Sequence, residues 1–367
     1  MKNKAVESEI AMLESQAPES HTQSSPDVEE HNAEFEAMFK KLDNSKKWFL
    51  SIGKCVDNEL FVFGIQCSAD HPSRSLIIDP HDKIFIPEEL EEIKKPMPLP
   101  TKEFKAFLNS YNHDSSQKIR TALGANHQLH ANYDKDINAD EDWVNHVVHS
   151  LVREYEFGNM DHHHTEAWYQ YHIWSMIETC FDKVKGIEAV TGESASLGSK
   201  RRMNQNSTPT AINNMSRLAY GYKCDLVFRQ YDNGHNLPLE FGGSEAKLRI
   251  EEDYGTNFLE EGFIKLPRML KVIDYDNRST AIRTIGILHS GLSCAMIELD
   301  RPTTYVSRVS RGQKIEISSK IEKFGSTVLP AILSSWVCCE IVKDVLNSVE
   351  NTPMQIKTMI FLGLICA

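Results

Sequence analysis

A chain of 367 residues with 41% apolar and 25% charged residues has the composition of a folded protein with room for a large core. Its net charge of −12 argues against tight, non-specific binding to a polyanion. The eight cysteines form no CxxC pair and mostly sit among apolar neighbours, as in Trp336-Val337-Cys338-Cys339, and read as buried free thiols in a reducing compartment.

Residues 1–30 form an acidic, Ser-rich tail without periodicity, expected to be disordered. No apolar segment follows Met1, so the expectation is an intracellular protein, nuclear or cytoplasmic. Residues 31–160 read as an N-terminal α+β accessory region. Within it Phe35, Met38, Phe39 and Leu42 space as a short helix starting near Asn32, and mixed or extended chain follows to Phe85. A helix over Pro87 to Ile93, a proline-rich connector over Lys94 to Pro100, and a helix marked by Trp143, Val147, Leu151 and Tyr155 complete the region.

The second half is more regular. One long helix is expected from Thr165, a candidate N-cap, to Lys183, and an extended segment follows over Gly186 to Val190. Tyr222 to Arg229 and Leu237 to Lys247 read as two strands joined at Asn233-Gly234, a hairpin signal. Leu259, Phe263, Leu266, Leu270 and Ile273 form a helical stripe, with a kink or break expected at Pro267. Lys265, Arg268 and Lys271 lie beside that stripe and read as a solvated face. Strands over Ile282 to His289, Cys294 to Leu299 and within Tyr305 to Ile317 follow, then a helix over Ser326 to Val349. Residues 161–350 thus form an α/β core with a mixed sheet, in the order helix, three strands, helix, strand. The apolar end, residues 351–367, is too short to span a bilayer and reads as a terminal core element.

Chemistry concentrates on the hairpin. Hydrolysis of a phosphodiester needs a positioned water and a metal to bear developing charge, and Mg²⁺ favours one or two carboxylates. Asp225 and Glu245 can supply them from neighbouring strands, with Lys247 on the same face as Glu245. Period-two alternation sets a condition. A two-residue Asn233-Gly234 turn pairs Asp225 with Gly242 and separates the carboxylates. They meet only with an odd loop or a bulge, for which Gly242-Gly243 is the natural place.

Glu178 shares a helical face with Tyr171, Trp174 and Phe181 and is a candidate third carboxylate. Glu193 and Glu240 are weaker candidates, the latter gaining if the turn is tight. Arg201 and Arg202 could contact substrate phosphates. Asp161-His162-His163-His164 with His172 offers a rival, histidine-based metal site, although consecutive histidines suit a polar loop better.

Asp225, the hairpin and Glu245-x-Lys247, flanked by helices and followed by Thr284 to Leu288, resemble the PD-(D/E)XK nuclease superfamily over roughly His164 to Val349. Gly192-Glu193-Ser194, Arg201-Arg202, Tyr222 to Phe228 and Glu240 to Lys247 further resemble uncharacterised fungal members. The resemblance implies a restriction-endonuclease-like core holding Mg²⁺ (or Mn²⁺) on Asp225 and Glu245. It implies that Lys247 assists the water, that Glu178 joins the site, and that DNA or RNA is the substrate. Cys224 stands where the motif has its proline. The alternative is a catalytically inactive nuclease-fold protein that binds nucleic acid or another partner. No membrane segment is expected, and the sequence does not speak to oligomeric state.

Overall fold

The computed structural model describes residues 26–68, 71–80, 82–126, 133–198, 200, 221–231, 238–247, 265–277 and 283–350. The chain is an α/β protein around a mixed, open sheet, eight-stranded among the described residues. In sequence order the sheet strands are β1 (Ile77–Ile78), β2 (Ile187–Ala195), β3 (Lys223–Gln230), β4 (Leu239–Lys247), β5 (Arg283–Ser290), β6 (Ser293–Asp300), β7 (Ser307–Arg311) and β8 (Ile315–Glu316). They lie in the order β1-β7-β6-β5-β4-β3-β2, with β8 paired to β6.

β2, β3 and β4 form an antiparallel meander, and β5 runs parallel to β4. A parallel neighbour needs a crossover. The helix α9 (Leu266–Asn277) lies on that connection. β6 and β7 continue antiparallel, and β1 pairs parallel with β7 as the far edge. The segment before β2 holds two short helices, α7 (Glu166–His172) and α8 (Ser175–Thr179), in place of the single helix expected. Thr165 caps α7 through Oγ1, which accepts from the Trp168 amide. Ile173 and Trp174 break the ladder, and this matters for Glu178 below.

The remaining helices are α1 (Pro26–Phe39), α2 (Val56–Gln66), α3 (Pro87–Ile93), α4 (Lys102–Asn109), α5 (Ser116–Asn126), α6 (Lys135–Glu156) and α10 (Phe324–Glu350). α1 begins inside the tail assigned to disorder, earlier than its apolar spacing suggests. Residues 351–367 lie outside the described residues. α10 has the length and hydropathy to cross a membrane. Phe324, Val328, Ile332, Cys339, Ile341 and Val342 on it are nevertheless all buried in the protein core.

Each sheet face carries its own apolar cluster. On one, Leu226, Phe228, Phe241, Ile285 and Ile287 pack against α4, α6, α8 and α10, with Phe181 stacked on Phe228 at a 4.2 Å centroid separation. Each such buried aromatic contributes about 1.5–3 kcal/mol. α4 and α6, grouped by sequence with the N-terminal region, therefore share the main core. On the other face Val227, Leu288, Ile297 and Leu299 pack under Leu266, Met269 and Leu270 of α9. A third cluster, built on Phe35, Leu50, Val56, Leu60, Ile78 and Val306, ties α1 and α2 to the edge of the sheet.

α9 approaches the sheet unusually closely because Gly243 and Gly286 face each other across β4 and β5. A Cβ on Gly286 would stand 2.9 Å from Leu270 Cδ1, and one on Gly243 would stand 3.2 Å from Met269 Cε. Pro267 sits in the first turn of α9, where its missing N–H costs nothing, so it starts the helix rather than kinking it. Residues 248–264, which include the first part of the predicted stripe, lie outside the described residues.

Candidate functional site

The register of β3 and β4 decides whether the two carboxylates can meet. Gln230 pairs with Leu239 and Arg229 with Glu240, but Phe228 then pairs with Gly242, Val227 with Gly243 and Leu226 with Ser244. Phe241 is the extra residue of a bulge, which shifts the side-chain parity by one. Without it, the Arg229↔Glu240 register would put Asp225 opposite Ser244. With it, one further step along the strands puts Asp225 opposite Glu245. The bulge lies one residue earlier than Gly242-Gly243, and Gly242 still makes it possible. Its φ is +151°, and a Cβ there would lie 1.9 Å from the Ile285 carbonyl oxygen of β5.

The ladder ends at Leu226↔Ser244, and Asp225 then serves as a side-chain acceptor: its Oδ2 takes the Ala246 amide hydrogen at 2.6 Å. That bond holds the carboxylate between the two strand ends. Glu245, the residue before Ala246, is buried, with 4% of its side chain exposed, and its Oε1 lies 3.2 Å from Lys265 Nζ. A buried carboxylate needs such a partner. Cys224 is buried against Met269, its thiol donating to Met269 Sδ at 2.7 Å. Burial pushes that thiol far above its ordinary range, and the Glu245 carboxylate adds to the shift. Cys224 is therefore a packing residue and no nucleophile.

Glu178 does not join this group. The break at Ile173 and Trp174 resets the helical phase, so Glu178 and Tyr171 point outward while Trp174 and Phe181 stay buried. Partial desolvation, then Asp182, raises its carboxyl modestly. Its helix α8 also packs on the sheet face opposite α9, away from the Glu245–Lys265 pair. Arg201, Arg202 and the side chains of Lys247 and Glu193 lie outside the described residues.

Glu240 is structural. One oxygen accepts from the Leu197 amide at 2.8 Å and from Arg229 Nε at 2.9 Å. The other accepts from Ser196 Oγ at 2.8 Å and from the Gly198 amide at 3.2 Å. Both oxygens are used in holding the chain after β2 to the bulged hairpin.

The histidine run is not gathered around a point. His164 stacks on Trp168 at 3.6 Å, Trp168 stacks on His172 at 4.6 Å, and His172 Nδ1 lies 3.0 Å from Glu154 Oε1. Asp161 is ion-paired with Lys320 at 3.3 Å. Among the described residues no three metal-ligating side chains converge.

The cations on α9 are where sequence reading went furthest astray. Rather than forming a solvated face, Arg268 donates to the His71 carbonyl at 3.0 Å, and Lys271 donates to the Leu76 carbonyl at 3.3 Å and the Tyr305 carbonyl at 3.0 Å, tying the N-terminal region to α9. Lys265 meets Glu245. The available signal was its place just ahead of a proline-started helix on the crossover that follows β4.

No protein family, curated protein or solved structure matches the chain. The chemistry therefore rests on the residues themselves: two hard oxygen donors from adjacent strand ends, one oriented by a backbone amide, with a lysine ammonium beside the other.

Proposed function

We propose that the protein is a metal-dependent nuclease that hydrolyses phosphodiester bonds of DNA or RNA, with Asp225 and Glu245 as the ligands of one Mg²⁺ or Mn²⁺. The observation that carries this reading is the bulge at Phe241, whose register, continued one step past Leu226↔Ser244, would set Asp225 opposite Glu245. A second support is the order of elements: helix, three antiparallel strands, helix, then a strand parallel to the third, as in a restriction-endonuclease-like core.

The donor set suits the metal, since Mg²⁺ takes one or two carboxylates and completes its shell with water and substrate oxygens. A bound ion would supply charge neutralisation at the phosphate and a more acidic water. The chain's own contribution is positional. The Ala246 amide fixes the Asp225 carboxylate, and burial keeps Glu245 from rotating into solvent. Lys247, two residues beyond Glu245 in β4, is the residue assigned to orient the attacking water.

The test is cleavage of plasmid, single-stranded DNA and RNA with Mg²⁺ or Mn²⁺, comparing wild type, Lys247→Ala and Glu178→Ala. Cleavage that falls at least about a hundredfold in Lys247→Ala and stays unchanged in Glu178→Ala supports the reading. Full activity in Lys247→Ala overturns the mechanism.

A second reading, a catalytically inactive nuclease-fold protein acting as an interaction or nucleic-acid-binding module, is favoured by the Lys265–Glu245 ion pair, which engages a candidate metal ligand. Retention of nucleic acid by wild type without turnover under any metal would select it.

A further inference from the structure

Glu245 is the one acidic residue of the site that is almost fully buried, and burying a carboxylate without a counter-charge is costly. Lys265 supplies such a charge, its Nζ lying 3.2 Å from Glu245 Oε1. Lys265 is the residue immediately before α9, and its side chain is 30% exposed. Its height over β4 is set by the glycine pair Gly243 and Gly286, which brings Leu266, Met269 and Leu270 onto the sheet. Its placement over Glu245 is thus a product of packing rather than of a flexible surface contact.

A divalent ion held by Glu245 would compete with Lys265 for the same buried carboxylate. Two cations in contact with one carboxylate repel each other, and in a partly desolvated site that repulsion is several times larger than in water. We propose that Lys265 is the counter-ion this site keeps while it holds no metal, and that binding of a divalent cation displaces it from Glu245. This rests on the metal-site reading of Asp225 and Glu245, and it adds an internal competitor that sets how much free metal the site requires.

The experiment is Mn²⁺ binding by titration calorimetry and electron paramagnetic resonance, together with thermal melting of the metal-free protein. It uses the full chain as wild type, Lys265→Met, Lys265→Arg and Glu245→Gln. Removal of the competitor should tighten Mn²⁺ binding by at least about tenfold in Lys265→Met, equivalent to about 1.4 kcal/mol. The metal-free Lys265→Met protein should also melt several degrees below wild type, and saturating Mn²⁺ should raise its melting temperature more than it raises that of wild type. Lys265→Arg keeps the charge and should behave as wild type in both measurements. If wild type binds Mn²⁺ and loses it in Glu245→Gln, while Lys265→Met changes neither affinity nor melting, the counter-ion role is refuted and the metal site survives. If neither wild type nor Lys265→Met binds Mn²⁺, the metal site itself is refuted and the counter-ion role falls with it.

Discussion

Replacing Gly242 by alanine attacks the backbone feature on which the site depends. The added Cβ would stand 1.9 Å from the Ile285 carbonyl oxygen, 2.8 Å from its carbon and 2.9 Å from Ile285 Cγ1. Ordinary contact begins more than an ångström further out, and two of the three atoms are backbone of the neighbouring parallel strand, so no rotamer change relieves the overlap. The φ of +151° adds strain of about 1–3 kcal/mol for a residue with a side chain. Parting β4 from β5 enough to admit the methyl group weakens roughly two ladder bonds, each worth about 1 kcal/mol. The total, about 3–5 kcal/mol, corresponds to a fall in melting temperature on the order of 6–10 °C for a domain of this size. If the chain escapes the strain by expelling the bulge, the parity of β4 reverses and Asp225 faces Ser244, so Mn²⁺ binding disappears as well. Circular dichroism melts and Mn²⁺ titration of Gly242→Ala measure both effects. Gly124→Ala is the control, because that glycine lies in exposed helix α5 with nothing within 4 Å of its Cβ position. It should be neutral or stabilising by up to about 1 kcal/mol. A Gly242→Ala protein that melts within about a degree of wild type and still binds Mn²⁺ would refute the argument.

Two further outcomes are expected. His289 is buried, and burial lowers its imidazole to about 4. The folded protein holds the ring neutral while the unfolded chain takes up a proton below about pH 6.5. Its contribution is therefore complete above pH 6.5 and is lost as pH falls toward 4, by up to about 3 kcal/mol. Urea melts across that window should show this slope, shallower in His289→Gln, and an unchanged slope would count against it. Glu240→Ala removes the acceptor for Arg229 Nε, Ser196 Oγ and two backbone amides, leaving a buried guanidinium without its carboxylate. Denaturant unfolding should show a loss of about 3–5 kcal/mol. A loss below about 1 kcal/mol would mean that the hairpin relaxes without it.

Local pattern is enough to determine a good part of this protein. The β-rich runs of Lys223–Gln230 and Arg283–Ser290, the Thr165 cap, Pro87 at the head of α3 and the apolar face of α10 each encode their element within a few neighbouring residues. The same local logic identified Asp225 and Glu245 and showed that they needed a break in strand parity to meet. What it could not supply was the break itself. The bulge at Phe241 depends on Gly242 lying against the Ile285 carbonyl, a contact with a strand more than forty residues away in the chain.

Tertiary packing likewise decided which charges matter. Glu178 follows an inward spacing only if its helix is continuous, and the turn at Ile173 and Trp174, with the Trp174 indole donating to the Gly291 carbonyl at 2.8 Å, rotates it out. Lys265 reads as a surface cation because no one-dimensional pattern records that two glycines let α9 settle onto β4 and β5. The elements are local consequences of spacing and caps, whereas the proposed site depends on a parity shift and a close helix–sheet contact. Both of these exist only once β4, β5 and α9 are in place.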